Sequence, residues 1–147
     1  MITLKLIATV AAGLFSGASI YINLVEHPAR MACGTASALA QWAPSYKRGA
    51  VVQASLAAAG CVTGIGAWIA GHELGWLIGG ILLGLVIPFT LIVILPTNRK
   101  LLSPTLDKGS PEAGELLDRW GRLHAVRSVL SFGSFLVFVA SLAGSFQ

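Results

Sequence analysis

Charge is what this chain has least of. Ten Lys and Arg and six Asp and Glu make up 11% of its 147 residues, about half of what a soluble domain carries. A water-facing surface cannot be built from so few ions, and a mean hydropathy of +0.78 agrees. Cysteine is nearly absent too. Cys33 and Cys61 form no framework: Cys33 falls in a polar connector, while Cys61 lies about 18 Å along an apolar segment at 1.5 Å per residue. No glycine motif sits in a strand-to-helix turn, so a flavin or dinucleotide fingerprint is missing. Linkers, low-complexity tracts and internal repeats are lacking as well, which leaves a single domain over 1–147.

What is present is apolar sequence in long runs. Four segments, about Leu4–Val25, Gly49–Ala70, Leu74–Leu95 and Ala125–Ser145, each reach the roughly 20 residues needed to cross hydrocarbon. Backbone groups in lipid must pair within their own segment, so each is expected to be a helix. The fold class is therefore all-α, an up-and-down four-helix bundle in the bilayer, with short interfacial helices in the first and third loops. The first segment has a thin signal-peptide character through Lys5 and Gly17-Ala18-Ser19, but its apolar run continues past them to Val25 and reads as a retained span.

The scarce charge is not spread evenly. Only Lys5 and Glu73 lie outside two connectors. The first connector holds Glu26, Arg30, Lys47 and Arg48, and the second runs from Arg99 to Arg127. A net charge of +4 would suggest nucleic acid for a soluble chain. Here it fits the tendency of Lys- and Arg-rich loops to stay in the cytoplasm, so no nucleic-acid partner is expected. The expected topology in the cell membrane puts the first and third loops inside and both termini outside. Residues 29–45 suggest an interfacial helix ending near Pro44, and Ser110-Pro111-Glu112 is a helix start. Gly13/Gly17, Gly60/Gly64, Gly75/Gly79 and Gly80/Gly84 provide close helix contacts. Pro88 predicts a kink near the charged end of the third helix.

A second layer of polar residues remains inside the apolar boundary. Ser16, Ser19, Asn23 and Glu26 form a stripe on the first helix, closed by His27-Pro28. Trp120, His124 and Arg127 share a face of the fourth. Tyr46 and Gln53 come from the second helix, and Asn98 ends the third. Singly, each has a bland role: Trp42, Tyr46 and Trp120 as interfacial anchors, Glu26 as an ion-pair partner of Arg30 or Arg127, Trp68, Trp76 and His72 as features of the outer end. Together they form an ionisable cluster in a membrane bundle, which is a functional-site hypothesis.

Glu26-His27-Pro28 after a glycine-rich helix, Trp42 with Tyr46, Pro96-Thr97-Asn98 followed by Leu101, and Trp120…His124…Arg127 together resemble the anthrone oxygenase family. The resemblance spans nearly the whole chain and implies a multi-pass membrane fold. In some members it also implies oxidation of anthrones to anthraquinones by molecular oxygen. The chemistry would need a base, an oxyanion partner and an apolar pocket. On that expectation His124 or His27 is the base, Glu26 orients it, Arg127 and Asn98 meet the oxyanion, and Trp120, Tyr46, Gln53 and Asn23 line a site for a hydrophobic aromatic molecule. No cofactor is expected. The alternatives are a haem or a transition metal at His27 and His124, or a non-catalytic scaffold whose polar layer locks helix register. Transport is disfavoured because no polar path crosses the outer half.

Overall fold

Backbone in hydrocarbon has no partner but itself, and all the described secondary structure, over residues 1–144 of this computed structural model, is helical. α1 (Ile2–Tyr21) passes through a π-helical stretch (Ile22–Glu26) into α2 (His27–Ala32). α3 (Thr35–Gly71) and α4 (Leu74–Phe89) follow. A second π-helical stretch (Thr90–Ile94) leads into α5 (Leu95–Leu101), and α6 (Pro111–Gly144) completes the bundle. These make four continuous rods, Ile2–Ala32, Thr35–Gly71, Leu74–Leu101 and Pro111–Gly144, each long and apolar enough to cross a membrane. The expected end of the fourth span at Ser145 lies outside the described residues.

The first connector differs from the expectation in one respect: its helical residues are not a separate interfacial piece but an extension of a span. Residues 35–48 are the first turns of α3, which runs straight through Pro44. The Glu26-His27-Pro28 triplet does not end the first helix either, since Pro28 sits in the first turn of α2. A proline lacks the N–H that an α-helix needs, and the chain meets that loss by widening the turn before it. The His27 N–H reaches back five residues to the Ile22 carbonyl, and the Leu95 N–H to that of Thr90. Both widened turns end two residues before a proline, Pro28 and Pro96. The distortion expected at Pro88 is thus centred just beyond it.

The start of α6 is as expected. The Ser110 hydroxyl accepts from the Ala113 N–H at 3.2 Å, and Pro111 occupies the first helical position. The sharp turn between α3 and α4 carries His72 at φ 57°, exposed as expected.

Two apolar clusters are stacked along the bundle. Ala8, Phe15, Ala57, Trp76, Leu83 and Phe138 belong to one, and Leu39, Trp42, Ile94, Leu117 and Trp120 to the other, at the charged end. Trp42 and Trp76 are completely buried, so neither is an interfacial anchor. Small residues set the spacing where α3 meets α4. A Cβ on Gly80 would lie 3.3 Å from the Cys61 carbonyl, and where α4 meets α6 one on Gly79 would fall 2.5 Å from the Phe138 ring. Gly17 faces open space, so its pairing with Gly13 is not a helix contact. At the far end Lys5 and Glu73 are 2.6 Å apart, and the Trp76 indole donates to the same carboxylate at 3.1 Å. The stacked Trp76 and Phe138 rings fill the far half with aromatic surface.

Candidate functional site

On α6, Trp120 belongs to one apolar cluster and Phe138 to the other, with His124, Arg127 and Ser128 in between. On α3, Gln53 likewise falls between Trp42 and Ala57. The polar layer is therefore sandwiched between two apolar cores, and three interactions organise it.

The first is a hub at Asn23, which the π-helical stretch carries toward α6. Its amide N–H donates to the Gly121 carbonyl at 3.0 Å. That bond fixes which way the amide points, so its oxygen accepts from the Ser128 hydroxyl at 2.6 Å and faces His124 Nδ1 at 2.8 Å. A carbonyl oxygen cannot donate, so the neutral imidazole carries its proton on Nδ1 and keeps its lone pair on Nε2. The second is a clasp at Glu26. Its carboxylate pairs with Arg30 and accepts from Gln41 at 2.9 Å and Ser45 at 3.1 Å, which ties the first rod to α3. It hydrogen-bonds to neither histidine and reaches His27 only through its charge, so it does not orient an imidazole. The third joins Arg127 to the Gln53 side-chain oxygen at 2.8 Å, and Gln53 donates in turn to Ser19 at 3.3 Å.

Beside this layer lies a cavity of about 220 Å³. Its polar lining is Arg30, Ser45, Tyr46, Gln53, Thr90 and Arg127, set among Phe15, Trp42, Trp120 and aliphatic side chains. Tyr46 stacks on Trp42 at 5.0 Å with the rings 3° from parallel, and it is close enough to Arg127 to interact electrostatically. Arg127 is 8% exposed, and among the described residues no carboxylate pairs with it. The opposite is true of Arg30, which Glu26 neutralises.

Of the residues singled out from sequence, Arg127, Gln53, Tyr46 and Trp120 thus meet at one cavity. His124, His27, Glu26, Asn23 and Asn98 do not line it. His124 packs behind Trp120 at 4.8 Å, and His27 lies against the same indole at 5.3 Å. Gly121 makes that second contact feasible, because a Cβ there would sit 2.6 Å from His27 Nε2. A porphyrin bracketed by the two imidazoles would have to displace the indole that both rings pack against. Asn98 is buried on α5 with neither amide atom bonded. The expected pairing of Glu26 with Arg30 is formed, at a spacing of four, but the place of Arg30 on the cavity wall was not read from the sequence.

Buried polar atoms without a partner among the described residues are all in this half of the bundle: His27 Nδ1, Arg30 Nε, Trp42 Nε1, Arg127 Nε and both Asn98 amide atoms. Buried donors and acceptors are nearly always satisfied, by protein or by ordered water or ligand.

Comparison with known proteins adds a family. The model of a family described as anthrone oxygenase matches residues 42–137, a stretch that contains Tyr46, Gln53, Trp120 and Arg127. No curated protein and no solved structure matches the chain.

Proposed function

The chain belongs to the anthrone oxygenase family, and from that premise we propose that it is a membrane-embedded oxygenase that binds a compact aromatic substrate, of the anthrone or hydroquinone type, as its oxyanion beside Arg127. The observation that carries this reading is the uncompensated Arg127 guanidinium on an otherwise largely apolar, aromatic-walled cavity. A cation at this depth is costly to leave unpaired and marks a functional position. Trp42, Tyr46 and Trp120 offer flat surfaces for a planar ring system.

The chemistry asks little of a protein beyond that setting. Loss of a benzylic proton from an anthrone leaves a carbanion whose charge is delocalised onto the ring oxygen. Molecular oxygen is the oxidant: it takes the electron pair, forms a C–O bond and, after picking up one proton, gives a hydroperoxide. Loss of water from that carbon leaves the second carbonyl, so one oxygen atom enters the quinone and the other leaves as water. Arg127, held by Gln53, stabilises the oxyanion. Tyr46, on the cavity wall, relays the proton from the substrate carbon to the peroxide oxygen. His124 acts as a positioning residue: its bond to Asn23 fixes α6 against the first rod and so places Arg127. His27 supports Trp120, and Glu26 holds Arg30 at the rim. The charged end is assigned to the cytoplasmic side.

Oxygen uptake with anthrone in liposomes tests the proposal. Arg127→Gln should lower the rate roughly a hundredfold or more and Tyr46→Phe by at least about tenfold, while His124→Gln, if the bundle stays folded, should lose less than either. Wild-type oxygen uptake by the Arg127→Gln variant would sink the proposal.

A further inference from the structure

We propose, taking the cavity as the substrate site, that it is loaded sideways from the bilayer through a gap between α3 and the α4–α5 rod, and that its substrate is accordingly a lipid-dissolved aromatic. The accessible part of the cavity wall comes almost entirely from these two rods. Gly49, Ala50 and Ala54 on one side and Ile87, Leu91 and Leu95 on the other are half-buried or exposed, whereas Phe15, Gln53, Trp120 and Arg127 behind them are buried. The two rods are in close contact further along, where Gly80 and Gly84 meet Cys61 and Ile65. Proline and the π-helical turn fall on the α4–α5 side just where the cavity begins.

The gap is apolar, as a mouth in hydrocarbon should be. Its one hydroxyl within the span, Thr90, is spent on the Val86 carbonyl at 2.7 Å. The neighbouring outward residues are Val51, Val52 and Ile92, exposed by 59–73%, a surface suited to acyl chains and not to water. Depth agrees. Ala54 lies six residues beyond Arg48 and Leu91 eight before Arg99, which puts them roughly 9 Å and 12 Å inside the ring of charge at 1.5 Å per residue. Toward the charged end the cavity narrows against buried Trp42, Trp120 and Arg30, with the second apolar cluster packed around them and half-buried Ser45 and Tyr46 completing the edge. At about 220 Å³ it is smaller than the roughly 300–1,000 Å³ of sites for drug-sized ligands. It therefore accepts a compact ring system, and any longer substituent projects through the gap into lipid. Molecular oxygen, also more soluble in hydrocarbon than in water, takes the same route.

Two measurements on the full chain in liposomes decide this. A nitroxide is attached at Ala54→Cys in a Cys33→Ser, Cys61→Ala background, and its relaxation is measured with oxygen and with a water-soluble nickel chelate. Oxygen should dominate; dominant nickel contact would mean an aqueous mouth and overturn the proposal whatever the substrate is. Anthrone binding is then followed under nitrogen by quenching of tryptophan fluorescence, comparing wild type with Ala54→Phe and with Lys47→Phe, an exposed position at the charged end that does not line the cavity. Ala54→Phe should slow binding at least tenfold and Lys47→Phe should leave it nearly unchanged; the reverse order would overturn the proposal. If wild type binds no anthrone, the substrate assignment fails, while the nitroxide result still decides the access route.

Discussion

Removing the Asn23 side chain should unlatch the polar layer. Asn23→Ala deletes three hydrogen bonds at once, to the Gly121 carbonyl, His124 Nδ1 and the Ser128 hydroxyl, with lengths of 3.0, 2.8 and 2.6 Å. Between membrane helices such bonds average about 0.6 kcal/mol, and in proteins generally about 1 kcal/mol, so three give about 2–3 kcal/mol. Ser128→Ala loses only one of them, and should cost about 0.6–1 kcal/mol on the same basis. The assay is reversible unfolding in mixed micelles, followed by helix signal as the denaturing detergent fraction rises. Asn23→Ala, Ser128→Ala and the double variant form a cycle, and the two sites should couple by about the value of their shared bond. The hub is wrong if Asn23→Ala costs no more than Ser128→Ala, or if the two changes are additive.

Three other outcomes follow from contacts already described. Gly121→Ala drives a Cβ to 2.6 Å from His27 Nε2 and should cost about 1–3 kcal/mol as overpacking, measured by the same unfolding assay, with His27→Ala in the same chain restoring most of the loss. Ser110→Ala removes the acceptor of the Ala113 N–H and should destabilise the start of α6 by about 1 kcal/mol, seen as faster amide exchange over residues 112–114. Reporter fusions should place the loop at 102–110 in the cytoplasm and the turn at 72–73 outside; the opposite arrangement would reverse the topology assigned from Lys and Arg.

The four spans were legible because lipid imposes one strong rule on composition, and a run such as Leu74–Leu95 obeys it without ambiguity. The cap at Ser110 was legible because local chemistry fixes it. The connectors were harder. Residues 29–45 carry polar and apolar positions that suit an interfacial helix equally well, and nothing local reveals that Thr35–Gly71 stays unbroken through Pro44. The candidate site was half legible. Depth along each helix picked out Gln53 and Arg127, which the fold brings to one cavity wall, since depth depends on counting residues. Which way a side chain faces depends on helix rotation, and the two π-helical turns alter that rotation in a way a constant 3.6-residue period cannot foresee. So Glu26 turns to Gln41 and Ser45, and Arg30 comes inside. The expected anchoring role of Trp42 failed for a related reason: an interfacial ring and a buried one look alike in sequence.

The widened turns at Ile22–Glu26 and Thr90–Ile94 also bear on how such a chain can diverge. Each accommodates one residue more than an α-helical turn, and many side chains can occupy it without changing that count. A substitution at Leu24 or Val25, both exposed, leaves the register of everything beyond it untouched. Deleting either one would rotate the remainder of the rod by about 100° and swing Arg30 off the cavity. At the outward positions of these two windows, Leu24, Val25 and Ile92, chain length is under tighter constraint than residue identity, whereas Asn23 and Glu26 are held by their partners as well.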